Sequence, residues 1–206
     1  MKDEWYGDKR DIVKWTVLLH LAKDNGAQSI VQIAYYRPSK WNKIIIIDEK
    51  KNLIPNEVLQ HFRNVNAIKN MISNPNINIF NLTLKNRRSY FPEVLKEVEK
   101  YRDDRKIVFL DPDTGLAPKK ATLKHVLPSE LKDIWVRMQE GDLLVFYQHK
   151  TNRNNEPWIE EKRKQFVAAL GIADVAVKIA YGPDIASDVV FFYCRKDDGS
   201  TKKGAA

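Results

Sequence analysis

The stretch that decides the fold is KIVFLDPDTG, residues 106–115. After Lys106, residues 107–110 form an apolar run without alternation, which is typical of a strand covered on both faces of a parallel sheet. The run ends abruptly at Asp111, where Pro112 removes a backbone donor and Gly115 permits a sharp bend. Ligands of parallel sheets bind beyond the carboxyl ends of the strands, so this acidic turn marks the predicted site.

Outward from this stretch, apolar runs of strand length alternate with segments of helical periodicity. The predicted strands are 29–35, 43–48, 77–84, 106–110, 143–147, 175–181 and 188–194. The last two are separated by a Gly-Pro turn without a helix, which indicates an antiparallel pair. The pattern therefore predicts an α/β fold, a three-layer α/β/α sandwich around a mostly parallel seven-stranded sheet with a C-terminal antiparallel β-hairpin.

The length and composition are those of an ordinary folded domain. With 206 residues and 43% hydrophobic residues, we expect a single domain over residues 1–196, followed by a flexible polar tail over residues 197–206. No apolar run approaches the roughly 20 residues that span a bilayer, and no secretory signal opens the chain, so we expect a cytoplasmic protein. Cys194 is the only cysteine, which excludes an internal disulfide and a thiolate-cluster metal site.

The chain is basic, with a net charge of +8 and a pI of about 9.4. An excess of lysine and arginine is what a surface that binds phosphates shows, because each phosphate contact releases condensed counterions. A basic surface that only keeps the protein soluble is the alternative. Nucleic acid is therefore the predicted partner, and the composition leaves the oligomeric state open.

Polar side chains gather where the predicted strands end. Asp111 and Asp113 follow the fourth strand, and two carboxylates at this spacing can bind a divalent metal, orient an amine or act as a base. His149 follows the fifth strand and titrates in the range that proton transfer needs. We predict catalytic roles for these three residues. We predict substrate contacts for the polar residues around them, which are Thr114, Gln148, Lys150 and Arg153.

The order of the elements resembles that of Rossmann-like S-adenosylmethionine-dependent methyltransferases. The segment IVFLDPDT, residues 107–114, followed by a helix and then by QEGDLLVF, residues 139–146, is similar to the fourth and fifth strands of that family. Amino-methyltransferases of the family carry Asp-Pro-Pro-Tyr or Asp-Pro-Pro-Phe here, and its Asp and carbonyl orient the target amine. The resemblance implies this role for Asp111, with methyl transfer from S-adenosylmethionine to an amine of a nucleic acid.

A second likeness lies near the start of the chain. The segment DIVKW, residues 11–15, is similar to the opening of the large-subunit ribosomal RNA adenine methyltransferases and of the three-Cys-motif partner proteins. The resemblance implies that Lys14 lies near the cofactor. It also implies that Asp48 or Glu49 holds ribose hydroxyls, and that Tyr36 and Arg37 belong to the turn that faces the cofactor.

Two departures from the family pattern keep an inactive protein open as an alternative. The turn after the first strand is AYYRP, residues 34–38, whereas methyltransferases of this class place a Gly-rich turn there. We expect its bulky side chains to obstruct the approach of the cofactor. Asp113 and Thr114 replace Pro-Tyr, which removes the ring that stacks on a flipped base. A non-catalytic Rossmann-like module that binds nucleic acid or a partner protein accounts for both departures.

A magnesium-dependent nuclease is the third hypothesis. Pro112-Asp113 followed by Gln148-His149-Lys150 loosely imitates the Pro-Asp…(Asp/Glu)-x-Lys pattern, with glutamine in the acidic place. In this hypothesis Asp111 and Asp113 hold Mg²⁺ and Lys150 helps to activate water. Restriction-type nucleases place the two strands antiparallel, however, which conflicts with the predicted parallel sheet.

Overall fold

The computed structural model describes residues 1–2, 6–39, 44–47, 49–62, 64–150 and 157–197. The strands are β1 (Ser29–Ile33), β2 (Ile44–Ile47), β3 (Lys50–Leu53), β4 (Asn76–Phe80), β5 (Lys106–Leu110), β6 (Gly115–Leu116), β7 (His125–Val126), β8 (Leu143–His149), β9 (Lys178–Ala180) and β10 (Val189–Arg195). The α-helices are α1 (Lys9–Asn25), α2 (Asn56–Phe62), α3 (Arg87–Lys100), α4 (Pro128–Arg137) and α5 (Trp158–Leu170). Short 3-10 helices lie at Val65–Asn70 and Asp174–Ala176.

Among the described residues the central sheet has six strands in the order β4-β1-β5-β8-β10-β9. β1 runs parallel to β4 and β5, and β5 runs parallel to β8. β10 pairs antiparallel with both β8 and β9. The predicted fold class is therefore confirmed: the sheet is mostly parallel and closes with an antiparallel pair. The carboxyl ends of β1, β5 and β8 meet at one edge.

Both faces of the sheet are covered, which explains why its strands are apolar without alternation. Val31 of β1 and Val108 of β5 pack into a core with α3, α4 and α5. Their neighbours Ile30 and Ile107 point to the opposite face and pack with α1, where Leu18 is fully buried. The two cores make the three layers that the sequence predicts.

Helix α1 is held at both ends by residues that suit a helix terminus. The Asp8 side chain accepts hydrogen bonds from the backbone N–H groups of Arg10 and Asp11, which are otherwise unpaired donors at the helix start. Gly26 closes the helix in the left-handed conformation. These caps fix the helix on the sheet, with the Lys14 side chain buried.

The run of isoleucines at residues 44–47 is not part of the sheet, which corrects the prediction of a seventh strand there. β2 pairs antiparallel with β3 in a separate hairpin whose turn includes Glu49 at a φ of 62°. The burial that the isoleucine run predicts is also wrong in part, because Ile46 is 61% exposed and Leu53 is 80% exposed. The short connection accounts for the hairpin: only two residues separate β2 from β3, which suits an antiparallel pair, whereas a parallel pair needs a crossover of about a dozen residues.

The remaining predictions on organisation stay open. Residues 198–206, which make up most of the predicted tail, lie outside the described residues. A single domain over residues 1–196 stays a prediction. Within the ranges that the structure describes, no helix combines the length and apolar character needed to cross a membrane.

Candidate functional site

A cavity of about 330 Å³ opens at the sheet edge where β1, β5 and β8 end. Its size lies at the lower end of the range for small-molecule sites, about 300–1,000 Å³. It is lined by Met1, Lys2, Asp8, Arg10, Asp11, Lys14, Arg37, Asp111, Pro112, Asp113, Thr114, Lys124, Tyr147 and His149. The acidic turn that follows β5 is therefore part of its wall, as the sequence predicts.

Asp11, Lys14 and Asp111 line the buried side of the cavity, and Gln32 donates a hydrogen bond to Asp111. We call these four residues the floor. The Lys14 ammonium lies between the two carboxylates, in contact with Asp11 and 2.9 Å from Asp111 Oδ2. Gln32 Nε2 donates to the same Asp111 oxygen at 2.6 Å. Burial alone would lower the pKa of Lys14, but the two carboxylates outweigh it and raise that pKa above its ordinary value.

The floor restricts what Asp111 can do. Its Oδ2 atom accepts hydrogen bonds from both Lys14 and Gln32, and the side chain is almost fully buried. Two carboxylates and one ammonium leave the floor with a net negative charge. The carboxylate of Asp111 thus anchors α1 to the end of β5, while its main-chain carbonyl faces the cavity.

The turn after β1 reaches the cavity with its backbone. Tyr35 has a φ of 45°, in the left-handed region that favours glycine. Its side chain is 1% exposed and packs in the core with its ring centroid 5.7 Å from that of Tyr90. The expectation that this turn obstructs the cavity is therefore wrong for Tyr35, because the ring points into the core.

Met1 occupies the space in front of this turn. Its α-amine donates to the carbonyl oxygens of Ala34 at 2.6 Å, Tyr35 at 3.0 Å and Asp111 at 3.2 Å. It also lies 3.1 Å from Asp113 Oδ1. We call the three carbonyl oxygens the amine subsite, and the Asp113 carboxylate lies beside it. Burial lowers the pKa of the Met1 amine to about 5, and the nearby Asp111 carboxylate partly opposes this shift.

Asp113 faces the cavity more directly than Asp111 does. Its side chain is 12% exposed and contacts the Arg37 guanidinium as well as the Met1 amine. Burial lowers the pKa of Arg37. The two residues form a charged wall beside the amine subsite.

Asp8, Arg10 and His149 line the exposed side of the cavity, and Asp188 contacts both Arg10 and His149. We call these four residues the rim. Arg10 donates to Asp188 Oδ2 through Nη2 at 2.5 Å and Nε at 3.2 Å, and to Asp8 through Nη1 at 2.9 Å. His149 Nε2 lies 3.2 Å from Asp188 Oδ2. Burial would raise the pKa of Asp188, but the hydrogen bonds from Arg10 outweigh it and lower that pKa.

Gln148 holds the acidic turn in place and does not line the cavity. Its Oε1 accepts from Leu116 N at 2.9 Å, and its Nε2 donates to Thr114 O at 3.0 Å and to His149 O at 2.8 Å. Gly115 has a φ of 116°, and an added Cβ would overlap the Gln148 amide. The absence of a side chain at Gly115 therefore makes room for this amide.

The structure brings together many of the residues that the sequence singles out. Those that line the cavity are Lys14, Arg37, Asp111, Asp113, Thr114 and His149. Tyr36, Gln148 and Lys150 are not in its lining, and Asp48 and Arg153 lie outside the described residues. The chemical roles assigned to all of these residues stay predictions.

Sequence reasoning missed several residues of the site. Gln32 carried a signal, because it is a polar residue within a strand that is otherwise apolar apart from its first position. Asp11 stood within the quoted N-terminal segment but was given no role. Arg10 and Asp188 are 178 positions apart and carried no local signal of their pairing.

The magnesium-dependent nuclease finds no support in the part of the chain that the structure describes. There, no group of three or more His, Cys, Asp or Glu side chains is placed to hold a metal ion. Lys14 occupies the position between the carboxylates of Asp11 and Asp111. β5 and β8 are parallel neighbours, unlike the antiparallel pair of restriction-type nucleases.

Comparison with known proteins gives distant likenesses of fold. No protein-family model matches the chain, and no curated protein sequence matches it. Among solved structures, the chain is similar to a candidate methyltransferase from Thermobifida fusca YX, with 12% identity, a TM-score of 0.43, and coverage of 92% of this chain and 80% of that one. It is also similar to the fibrillarin/Nop5p complex, with 10% identity, a TM-score of 0.39, and coverage of 83% and 73%. Likenesses this distant concern the fold alone and say nothing about activity.

Proposed function

We propose that the chain is a methyltransferase-like protein that binds S-adenosylmethionine in the cavity and transfers a methyl group to an amine of a nucleic acid. The amine subsite is the observation that carries this proposal. Carbonyl oxygens from the ends of two parallel strands converge there on a primary amine. S-adenosylmethionine ends in an α-amino acid, and that end is complementary to the subsite.

The residues present fit the amino-acid end of this cofactor. The carbonyls of Ala34 and Tyr35 would accept from its amine, as they accept from Met1. The backbone N–H of Arg37 donates to the Met1 carbonyl oxygen at 3.0 Å and would donate to the cofactor's carboxylate. This fit depends on Tyr35, whose buried ring lets the backbone of the turn approach the ligand as a glycine turn does.

The chain's own residues would position the acceptor and receive its proton. S-adenosylmethionine, when bound, supplies an electrophilic methyl group. The acceptor amine must lose a proton when its nitrogen forms the new bond, and His149 in the cavity wall carries an imidazole, the side chain that most often serves as a general base. If His149 donates to Asp188 through Nε2, its Nδ1 is the atom that takes the proton.

A nucleic acid as the acceptor is supported by the charge of the chain. The net charge is +8, and Lys2 and Lys124 are part of the cavity lining. The loop between β6 and β7 carries Lys119 and Lys120, both exposed, next to the acidic turn. Cations at the mouth of a cavity attract phosphates and hold a strand across it.

Calorimetric titration with S-adenosylmethionine tests the proposal. We expect saturable binding that weakens about tenfold in Asp113→Asn, because the variant loses the charge beside the amine subsite. Asp133→Asn on the exposed face of α4 is the matched control and should bind as the wild type does. Absence of binding to the wild-type chain at 1 mM cofactor, about the upper end of the KM range of enzymes, would remove the proposal.

A non-catalytic binding module is the second candidate, and the floor favours it. The Asp111 carboxylate, which the family resemblance assigns to the acceptor amine, is already engaged by Lys14 and Gln32. Incubation with RNA oligonucleotides and radiolabelled S-adenosylmethionine separates the two candidates. Binding of RNA without transfer of label supports the module, and label in the RNA supports the enzyme.

A further inference from the structure

A second cavity, of about 520 Å³, lies at the opposite edge of the sheet, where β1 and β4 begin. Its walls are the last turns of α1, the residues that lead into β1 and the residues that lead into β4. It shares no lining residue with the cavity at the carboxyl ends of the strands. Its size lies within the range for small-molecule sites, about 300–1,000 Å³.

One part of the second cavity is apolar. Its apolar lining residues are Leu19, Ala22, Ala27, Ile72 and Pro75. Ile72 is 38% exposed, so this wall is open to a ligand from solvent. An apolar group that packs there is removed from water, which favours its binding.

The other part of the second cavity is basic. Lys23 lines it from the last turn of α1. Arg105 lies beside it, because the Arg105 N–H donates to Gln28 Oε1 at 3.3 Å and the Arg105 carbonyl accepts from Gln28 N at 2.7 Å. Its guanidinium faces Gly26 of the lining, where an added Cβ would lie 3.9 Å from Arg105 Nη1.

A third cation approaches from β10, which runs antiparallel to β8 and therefore ends at this same edge. A Cβ added to Gly141 would lie 3.5 Å from Arg105 Nε and 3.9 Å from Arg195 Nη2, so the two guanidinium groups meet at this turn. Within the described ranges, neither guanidinium forms an ion pair, and the Lys23 ammonium forms none. Like charges that converge without an anion repel each other, and a bound anion would relieve that repulsion.

The backbone at the end of α1 does not cancel these cations. Unpaired carbonyl groups at a helix C-terminus repel anions. Here the Ala22 carbonyl accepts from Ala27 N at 2.9 Å, and the Lys23 carbonyl accepts from Gly26 N at 3.3 Å. The cap therefore engages the carbonyls nearest the second cavity.

We propose that the second cavity binds a small organic anion, a molecule with an apolar body and one anionic group. The apolar body packs against Ala22, Ala27 and Ile72, and the anionic group is held by Arg105 and Lys23. Arginine and lysine form hydrogen bonds with anions that are stronger than those between neutral groups. This inference is independent of the proposed function, because the two cavities share no lining residue.

Fluorescence titration with 1-anilinonaphthalene-8-sulfonate tests the proposal, because this dye joins a sulfonate to apolar rings and brightens in apolar surroundings. We expect saturable binding to the wild-type chain and about tenfold weaker binding to Arg105→Gln, which loses a charged hydrogen bond. Arg102→Gln, at an exposed arginine three positions earlier, is the matched control and should bind as the wild type does. Absence of dye binding to the wild-type chain would overturn the proposal.

The apolar wall is tested with Ile72→Glu, which places a carboxylate where the apolar body packs. We expect dye binding to weaken about tenfold or more, since apolar contact is lost and the sulfonate is repelled. Val136→Glu, at a residue of α4 that is 65% exposed, adds the same charge elsewhere and should leave binding unchanged. Thermal unfolding of all four variants shows whether each is folded.

Competition separates the two requirements of the ligand. Decanoate, with an apolar body and one charge, should displace the dye. Sodium sulfate and decanol, which each lack one of these features, should not displace it at the same concentration. Equal affinity of the dye for the wild type, Arg105→Gln and Ile72→Glu would mean that the dye binds elsewhere and would overturn the proposal, as would displacement by sulfate alone.

Discussion

The floor and the rim of the cavity both pair carboxylates with cations, but they do so at different depths. In the floor, Lys14 is almost fully buried between Asp11 and Asp111. In the rim, His149 and Asp188 are each about a third exposed. A buried charge that loses its partner is costly, whereas an exposed one is solvated by water. The comparison indicates that the floor maintains the shape of the site and that the rim is free to take part in chemistry.

The largest expected effect is that of removing the cation of the floor. Lys14→Met leaves two buried carboxylates without their counterion, and we expect the free energy of unfolding at pH 7 to fall by about 3–5 kcal/mol in urea titrations. Lys96→Met, at an exposed lysine paired with Glu93, is the control and should change it by less than about 0.5 kcal/mol. A loss below about 1 kcal/mol for Lys14→Met would remove the distinction between floor and rim.

The second effect concerns the acidic turn, residues 111–115, which follows Asp111 and contacts Gln148. Gly115→Ala places a Cβ against the buried Gln148 amide at a φ of 116°, and we expect a loss of about 2–3 kcal/mol in the free energy of unfolding. Gly171→Ala also has a positive φ, 68°, but no atom lies near the added Cβ, so its loss should be about 1 kcal/mol. Equal losses in the two variants would mean that the Gln148 contact is unimportant.

The smallest effect is expected at the rim. Asp188→Asn should lower the free energy of unfolding by less than about 1 kcal/mol at pH 7, because the ion pair is partly solvated. The native pKa of Asp188 lies below its ordinary value of 3.8, so its contribution is present above that pH and is lost as the pH falls through the native pKa. Urea titrations of both proteins from pH 7 to pH 3 measure this difference. A loss above about 2 kcal/mol would mean that the Asp188 ion pair stabilises the protein as the buried ion pairs of the floor do.

Sequence patterns predicted the parts of the fold that depend on local periodicity. The apolar strands β1, β5 and β8 and the helices between them appear where their patterns indicate. The error at Ile44–Ile47 arose because a buried strand and a strand of an isolated hairpin have the same local composition. The two kinds of strand differ in the strand that each pairs with, and the composition of the isoleucine run does not specify that it pairs with β3.

The position of the site could be predicted from the sequence, but most of its side-chain contacts could not. The rule that ligands bind at the carboxyl ends of parallel strands placed Asp111, Asp113 and His149 on one cavity. No local pattern pairs Lys14 with Asp111, since 97 positions separate them and the resemblance implied only that Lys14 lies near the cofactor. The contact of Met1 with three carbonyls depends on the tertiary fold alone.

The backbone conformation of Tyr35 matters for sequence searches that look for proteins of this fold. Glycine is favoured in the turn after β1 because of the backbone angle it allows, and here a tyrosine adopts a φ of 45° while its ring packs in the core. A search pattern that demands glycine at this turn would pass over the chain, although the backbone of Tyr35 lies in the left-handed region that glycine favours. A search pattern defined by backbone dihedral angles would still detect this chain.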